Sequence, residues 1–404
     1  MESERAARIV DVLSREGYRA VVCRLPEHVV MLTGYQPVLG NSFCVASLNQ
    51  KEELEIRLLV PGDEANLVRP GTATTIKTFS EETLDYISTT IPSVRQPLTE
   101  LLEEAGLRGR MLVGFEGGRS PVATTYTQIG IPGDNTLNLL REILPEAHWR
   151  DATDALEELA SVKTQAELVK IRQAEEVARQ GFLAAHDAVR VGASEADVHG
   201  ATYAALLRAG YGAQGVERVL AHVHVMAGTR AALAYQAFNL TSGKTIEPGD
   251  TVSVQMEVSL DGYWAELTRP FFAEEADDTW RRAHAACVAA QDAAMQVIRA
   301  GISGHDADAA ARDVMRSAGF GDAFKHGLGH GFGFQAINHA AAPILHPASQ
   351  QVLRANMVHN MEPAVYLDGK GGIRLNDNVL VNIDGGEVIS SAIPRDLDWL
   401  VVKG

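Results

Sequence analysis

Between Phe324 and Asn378 the chain gathers residue types that handle protons and bind small ligands. Lys325-His326-Gly327-Leu328-Gly329-His330-Gly331-Phe332-Gly333 sets two imidazoles among closely spaced glycines. Asn360-Met361-Glu362-Pro363 and Gly371-Gly372-Ile373-Arg374-Leu375-Asn376-Asp377 follow as two polar clusters. Glycine lets backbone approach a ligand closely, so the histidine segment reads as pocket lining. An acid beside an imidazole raises the pKa of the ring or, if buried, takes the proton itself. His330 and Glu362 are therefore the leading candidates for proton transfer, with His326 as an orienting neighbour. Upstream, Thr251–Ser259 and Tyr263–Phe271 flank Asp261-Gly262 and read as a hairpin. It carries Gln255, Glu257 and Glu266. Glu257 is two residues from Gln255 and so shares its strand face. It is read either as an added carboxylate near Glu266 or as the partner of a neighbouring base. Val219–Met226 alternates as a strand and puts His222 and His224 on one face, half exposed or lining the pocket.

These residues need two kinds of scaffold. The 404 residues exceed what one core usually serves, so two domains are expected. The first, 1–155, alternates helix and strand and reads as α/β. Residues 3–16 form an amphipathic helix closed by Gly17. Ala20–Cys23, Glu55–Pro61 and Arg110–Gly114 are strand candidates, Leu98–Ala105 and Leu137–Leu144 short helices. Val29–Tyr35 is an apolar run stopped by Gly34. This domain has no phosphate-binding glycine fingerprint. The second domain, 161–404, opens with a long helix through about residue 188 and continues with a helix over about 194–210. After the hairpin come helices near 275–299 and 304–318, then strand candidates Met357–Tyr366 and Ile373–Ile383. It reads as α+β, a curved antiparallel sheet with helices outside.

Composition narrows the function. Hydrophobic residues make up 46% and charged residues 22%, as in globular proteins. A formal charge of -16 leaves no basic excess for nucleic acid. Cys23, Cys44 and Cys287 are scattered and odd in number, which favours a reducing, cytoplasmic setting. No signal peptide or membrane-length apolar span is read.

On the motifs above, the chain resembles the pita-bread hydrolases, a family that includes methionine aminopeptidase, aminopeptidase P, prolidase and creatinase. The resemblance spans roughly 10–390, and Leu32-Thr33-Gly34-Tyr35 is typical of the family's amino-terminal domain. It implies a homodimer and a small-molecule substrate. It also places Lys163 and Glu167 in a recurrent signature, expected to be structural and on a solvated helix face. In the family's peptidases, five ligands hold two divalent metals. The Tyr263…Thr268-Arg269 signature places those positions at Gln255, Glu266, His330, Glu362 and Asn376. Gln255 and Asn376 are neutral amides, poor ligands and good hydrogen-bond partners. The expectation is therefore a pocket with no cofactor and no metal, a single metal on Glu266, His330 and Glu362 being the lesser reading. Creatinase, similar in fold, works without metals, but its proton-shuttling histidine falls at Tyr235 here, and tyrosine is no base at neutral pH. The family's second histidine, seven residues after the ligand, falls at Ile337; His339 fills the role if the loop carries an insertion. Arg269 and Arg374 are expected in buried ion pairs.

The resulting expectation is a creatinase-like, metal-independent hydrolase cleaving a non-peptide C–N bond, with lyase or isomerase chemistry also open. Glu266, His330, Glu362 and His339 are its catalytic candidates. Tyr235, Gln255, Asn376, His326 and His224 are its substrate-binding candidates. One alternative is an Xaa-Pro-type metallo-aminopeptidase with an atypical mononuclear site. The other is an inactive pseudoenzyme that binds a ligand or protein.

Overall fold

The computed structural model describes residues 2–38, 40–117, 134–236, 240–335 and 338–404. It divides into two compact units, Met1–Ala160 and Ser161–Gly404. Ile337, weighed above for the second histidine, lies outside the described residues.

The first unit is α/β. Its elements are α1 (Ser3–Glu16), β1 (Ala20–Cys23), α2 (Pro26–Thr33), β2 (Phe43–Leu48), β3 (Leu54–Pro61), β4 (Thr75–Phe79), α3 (Thr90–Glu104), β5 (Leu112–Phe115), α4 (Asp134–Ile143), β6 (His148–Asp151) and α5 (Thr153–Ser161). The sheet order is β4-β3-β2-β1-β5-β6. β2 runs antiparallel to both β1 and β3, while the outer neighbours pair in parallel. The Val29–Tyr35 run is mostly helical. Pro26 stands in the first turn of α2, and Gly34 (φ 73°) ends it in the left-handed conformation. Glu116, after β5, anchors the start of that helix. Its carboxylate accepts from the backbone N–H of Arg24 and, at 2.7 Å, of Leu25. His28 Nδ1 lies 2.6 Å from its other oxygen.

The second unit is helical outside and antiparallel within. It comprises α6 (Gln165–Ala188), α7 (Glu195–Gly212), β7 (Val219–Ala227), β8 (Thr251–Leu260), β9 (Tyr263–Ala273), α8 (Asp278–Val297), α9 (Gly304–Ser317), β10 (Val358–Met361), β11 (Ala364–Leu367), β12 (Gly371–Arg374), β13 (Asp377–Val381), β14 (Gly386–Val388), α10 (Leu397–Leu400) and β15 (Val401–Val402). Thr164 and Glu167 start α6 as a reciprocal capping box. Glu167 and Lys163 are buried, 4% and 2% exposed, so the solvated face expected for them is corrected. The cap explains the burial, since the Glu167 carboxylate accepts the Thr164 N–H at 2.8 Å.

The β8–β9 hairpin is the backbone of the site. Its turn residues Asp261 (φ 51°) and Gly262 (φ 90°) both sit in the left-handed region, the requirement of a type I′ turn. That turn fixes a register in which Gln255 opposes Thr268 and Glu257 opposes Glu266. On the other side β7 brings His224 opposite Gln255 and His222 opposite Glu257. The apolar core beneath includes Val254, Met256, Val258, Ala265 and Leu267, the alternate residues of the same strands.

Candidate active site

His330 is held by backbone on both sides. Gly329 pairs with Leu345, and Gly331 donates to the Ala341 carbonyl at 2.9 Å. The His330 N–H donates to Asn360 Oδ1 at 2.7 Å, and its carbonyl accepts the Asn360 N–H at 2.9 Å. Two of the glycines are steric necessities. A Cβ on Gly329 would fall 2.1 Å from the Asn360 carbonyl oxygen, and one on Gly331 2.0 Å from that of Ala342. Within this frame His330 Nδ1 lies 3.0 Å from the Gly331 carbonyl, which can only accept. The proton therefore sits on Nδ1 and the lone pair on Nε2. Nε2 lies 3.1 Å from Asn360 Nδ2, 3.8 Å from Glu266 Oε1 and 3.9 Å from Glu362 Oε1.

All three of these side chains are buried. Burial raises Glu266 to about 8, and the neighbouring Glu257 adds to the rise. Burial likewise lifts Glu362 to about 7, against the pull of Arg374 and His330. His330 itself is lowered, again chiefly by burial. Two carboxyls and a neutral imidazole thus converge with less charge than their number implies. One oxygen, Glu266 Oε2, has no hydrogen-bond partner.

The remaining candidates ring this centre. His339 meets His330 edge to face, ring centroids 5.0 Å apart. Burial, with His330 adding to it, holds His339 at about 4. Asn376 follows β12 and bridges to Thr268, and both its side-chain amide atoms are buried without a partner. Gln255 is engaged twice, its Oε1 by the Arg374 guanidinium and its Nε2 by Glu257 Oε1 at 2.6 Å. Arg374 also reaches Thr268 Oγ1 at 3.2 Å and stands 3.8 Å from Glu362. His326 Nδ1 donates to the Gly327 carbonyl, and its Nε2 accepts from the Tyr366 hydroxyl at 3.1 Å. Burial and the positive charge of Arg374 keep His326 neutral, at about 3. Tyr235 packs on Tyr366, centroids 5.2 Å apart. His224 is buried and puts Nε2 3.4 Å from Glu257 Oε2. Arg269 forms a buried ion pair with Asp377 at 2.6 Å, away from the centre.

Sequence reasoning missed Asn360. Its side chain contacts both the His330 backbone and Nε2, so it sets the ring's position. Its signal was an amide inside a strand, where asparagine is disfavoured unless its side chain has a specific bond to make.

Residues 169–382, more than half of the chain, match the model of metallopeptidase family M24. The chain belongs to that family. The Xaa-Pro dipeptidase of Pyrococcus furiosus is 26% identical over 384 residues, covering 95% of this chain and 97% of that protein. The solved X-Pro aminopeptidase of Thermotoga maritima superposes with a TM-score of 0.77 at 21% identity, over 98% of this chain and 99% of that one. The Xaa-Pro dipeptidase of Bacillus anthracis gives 0.77 at 22% identity, with 98% and 99% covered. The fold is thus an α/β amino-terminal domain followed by a pita-bread domain.

These likenesses overturn the expectation of a creatinase-like, metal-independent hydrolase of a non-peptide C–N bond. The relatives are Xaa-Pro dipeptidases in a metallopeptidase family, so both the C–N emphasis and the metal-free reading are withdrawn. The error came from counting charge only at the five expected ligand positions. Glu257, weighed there only as an added carboxylate or a base's partner, is buried directly across from Glu266.

The family implies divalent metal, and the donor set can be tested for it. Gln255 does not fit, being neutral and tied to Arg374 and Glu257. Asn376 is neutral as well. Glu266, His330 and Glu362 do fit a single cation. They supply two carboxylates and an imidazole lone pair, and the unpartnered Glu266 Oε2 leaves that carboxylate spare capacity. Among the described residues, the only trio of such atoms lying mutually within 4.8 Å is Cys23, His28 and Glu116. There the Glu116 carboxylate is already committed to the helix start, and burial pushes the Cys23 thiol up, away from the thiolate that binds metal.

Proposed function

We propose that the chain is a metal-dependent Xaa-Pro-type peptidase acting on small dipeptides, with a divalent cation carried on Glu266, His330 and Glu362. The observation that carries this reading is their convergence, His330 Nε2 lying 3.8 and 3.9 Å from two buried carboxylates. The Xaa-Pro dipeptidase relatives support the substrate class. Once bound, such a cation acts as a Lewis acid toward a scissile carbonyl and as an activator of water.

The chain's own residues supply the rest. Burial lifts Glu362 to about 7 before any cation is bound, so loading the cation displaces its proton and cation affinity falls as the pH drops below that value. Asn376 offers a buried donor and acceptor, neither partnered, to a peptide group. Arg374 contacts both Gln255 and Glu362. His339 packs on the His330 ring and Tyr235 on Tyr366. The proposal includes a catalytic domain over 161–404, an amino-terminal domain over 1–155, a homodimer and a cytoplasmic setting.

The test is hydrolysis of Xaa-Pro and non-proline dipeptides by chelator-treated protein reloaded with manganese, cobalt, zinc or iron. Turnover restored by one of these cations, preferring Xaa-Pro and lost in His330→Ala, is the expected result. No turnover of any dipeptide with any cation refutes the proposal and leaves the chain a binding protein.

A further inference from the structure

The first unit holds a polar cluster that the catalytic centre does not use. β1 and β5 pair in parallel, Val22 beside Phe115, so their carboxyl ends lie together. There the chain parts. After β1 it rejoins the sheet as β2, on the flank away from β5, and after β5 it rejoins as β6, on the flank away from β1. In open α/β sheets such a divergence leaves a crevice at the carboxyl ends, where ligands bind. Glu116, directly after β5, is already spent on the start of α2 and on His28. Arg24, directly after β1, is not spent in the same way. Its guanidinium donates to Thr136 Oγ1 at 2.8 Å and to Asn41 Oδ1 at 3.0 Å, and lies 5.3 Å from the Phe43 ring centroid. Both hydrogen-bond partners are neutral, and among the described residues no carboxylate pairs with the guanidinium. Thr136 and Phe43 are buried, whereas Arg24 and Asn41 are only half-buried and within reach of solvent.

We propose that this edge of the first unit is a second ligand site, in which Arg24 receives a small oxyanion, a carboxylate or a phosphate. A guanidinium presents a planar fork of donors that matches two oxygens of such a group. Thr136 and Asn41 fix the fork beforehand, so binding costs little side-chain freedom. The Asn41 amide adds a donor, Nδ2, which bonds to nothing else among the described residues. The domain has no glycine fingerprint, so a side chain rather than a backbone cradle carries the contact. The site lies within the first unit and stands independently of the peptidase reading. The bland reading of the same atoms is a latch between β1 and α4. A latch uses the same two hydrogen bonds and binds nothing.

Calorimetric titration of the chelator-treated full chain with inorganic phosphate, and separately with acetate, separates the two. Chelation keeps either anion from being held by a cation at the catalytic centre. The expected result is one oxyanion per wild-type chain, the tighter probe naming the ligand class. Arg24→Gln should weaken that binding about 10–100-fold, the worth of a charge-assisted hydrogen bond. Asn41→Asp keeps the oxygen bonded to Arg24 but sets a carboxylate of the chain's own against the guanidinium. It should abolish binding too, and serves if circular dichroism shows that Arg24→Gln fails to fold. Binding unchanged in both variants puts the anion elsewhere and overturns the proposal. No binding of either probe by the wild type leaves Arg24 a latch and overturns it as well.

Discussion

Replacing Glu175 by glutamine should remove a pH-dependent weakness from the second unit. Glu175 lies on α6, 4% exposed, and accepts one hydrogen bond from Asn378 Nδ2 at 2.6 Å. Its second oxygen has no partner. Burial raises its pKa from 4.5 to about 8, and nearby Asp377 adds to the rise. The folded carboxyl therefore keeps, between those values, a proton that the unfolded chain has released. The unfolded state binds fewer protons in that window, so stability falls as pH rises from 4.5 toward 8. Each pH unit is worth about 1.4 kcal/mol, which makes the deficit at pH 7 about 3 kcal/mol. Glutamine mimics the protonated acid, keeps the acceptor for Asn378 and does not titrate. Glu175→Gln should gain on the order of 3 kcal/mol at pH 7 and almost nothing at pH 4.5. Urea unfolding of both proteins across that range, followed at the second unit by tryptophan fluorescence of a Trp149→Phe background, measures it. Parallel pH profiles for the two proteins would refute the assignment of Glu175 as a buried neutral acid.

Two further outcomes probe the histidine frame. Asn360→Ala should weaken cation binding by about 10–100-fold, the usual effect of losing a group that orients a ligand. It removes the Oδ1 acceptor that fixes the His330 backbone N–H, the contact that persists when a cation takes the Nε2 lone pair. Unchanged affinity in a calorimetric titration would show that the glycine backbone alone sets the ring. Gly331→Ala should cost about 1–3 kcal/mol, because its Cβ would sit 2.0 Å from the Ala342 carbonyl oxygen. A wild-type melting temperature would contradict that collision.

How far the sequence spoke depended on whether a signal was periodic or spatial. The β8–β9 hairpin was legible because alternation and an Asp-Gly turn agree on both type and register. Val29–Tyr35 was not, because an unbroken apolar run has no period to separate strand from helix. The decisive marks were Pro26 and Gly34 at its ends. β2 and β4 went unread, although Phe43–Leu48 is wholly buried. At the site, His330 and Glu362 were proposed from local motifs, Glu266 from the resemblance's hairpin signature, and His339 from tolerance of a short insertion. Asn360 was named in a polar cluster but not given a role, because that role depends on a partner thirty positions away. The metal-free reading failed for a related reason. The neutral amides Gln255 and Asn376 outweighed Glu257, whose place directly across from Glu266 only the strand register shows.

The glycine-rich frame of His330 also bears on engineering. Glycine gives the unfolded chain extra freedom, and replacing it with alanine is a common route to greater thermal resistance. At Gly329 and Gly331 neighbouring carbonyls close that route. Heat-resistant variants must therefore draw their gains from elsewhere in the chain, leaving this strip of backbone as nature wrote it.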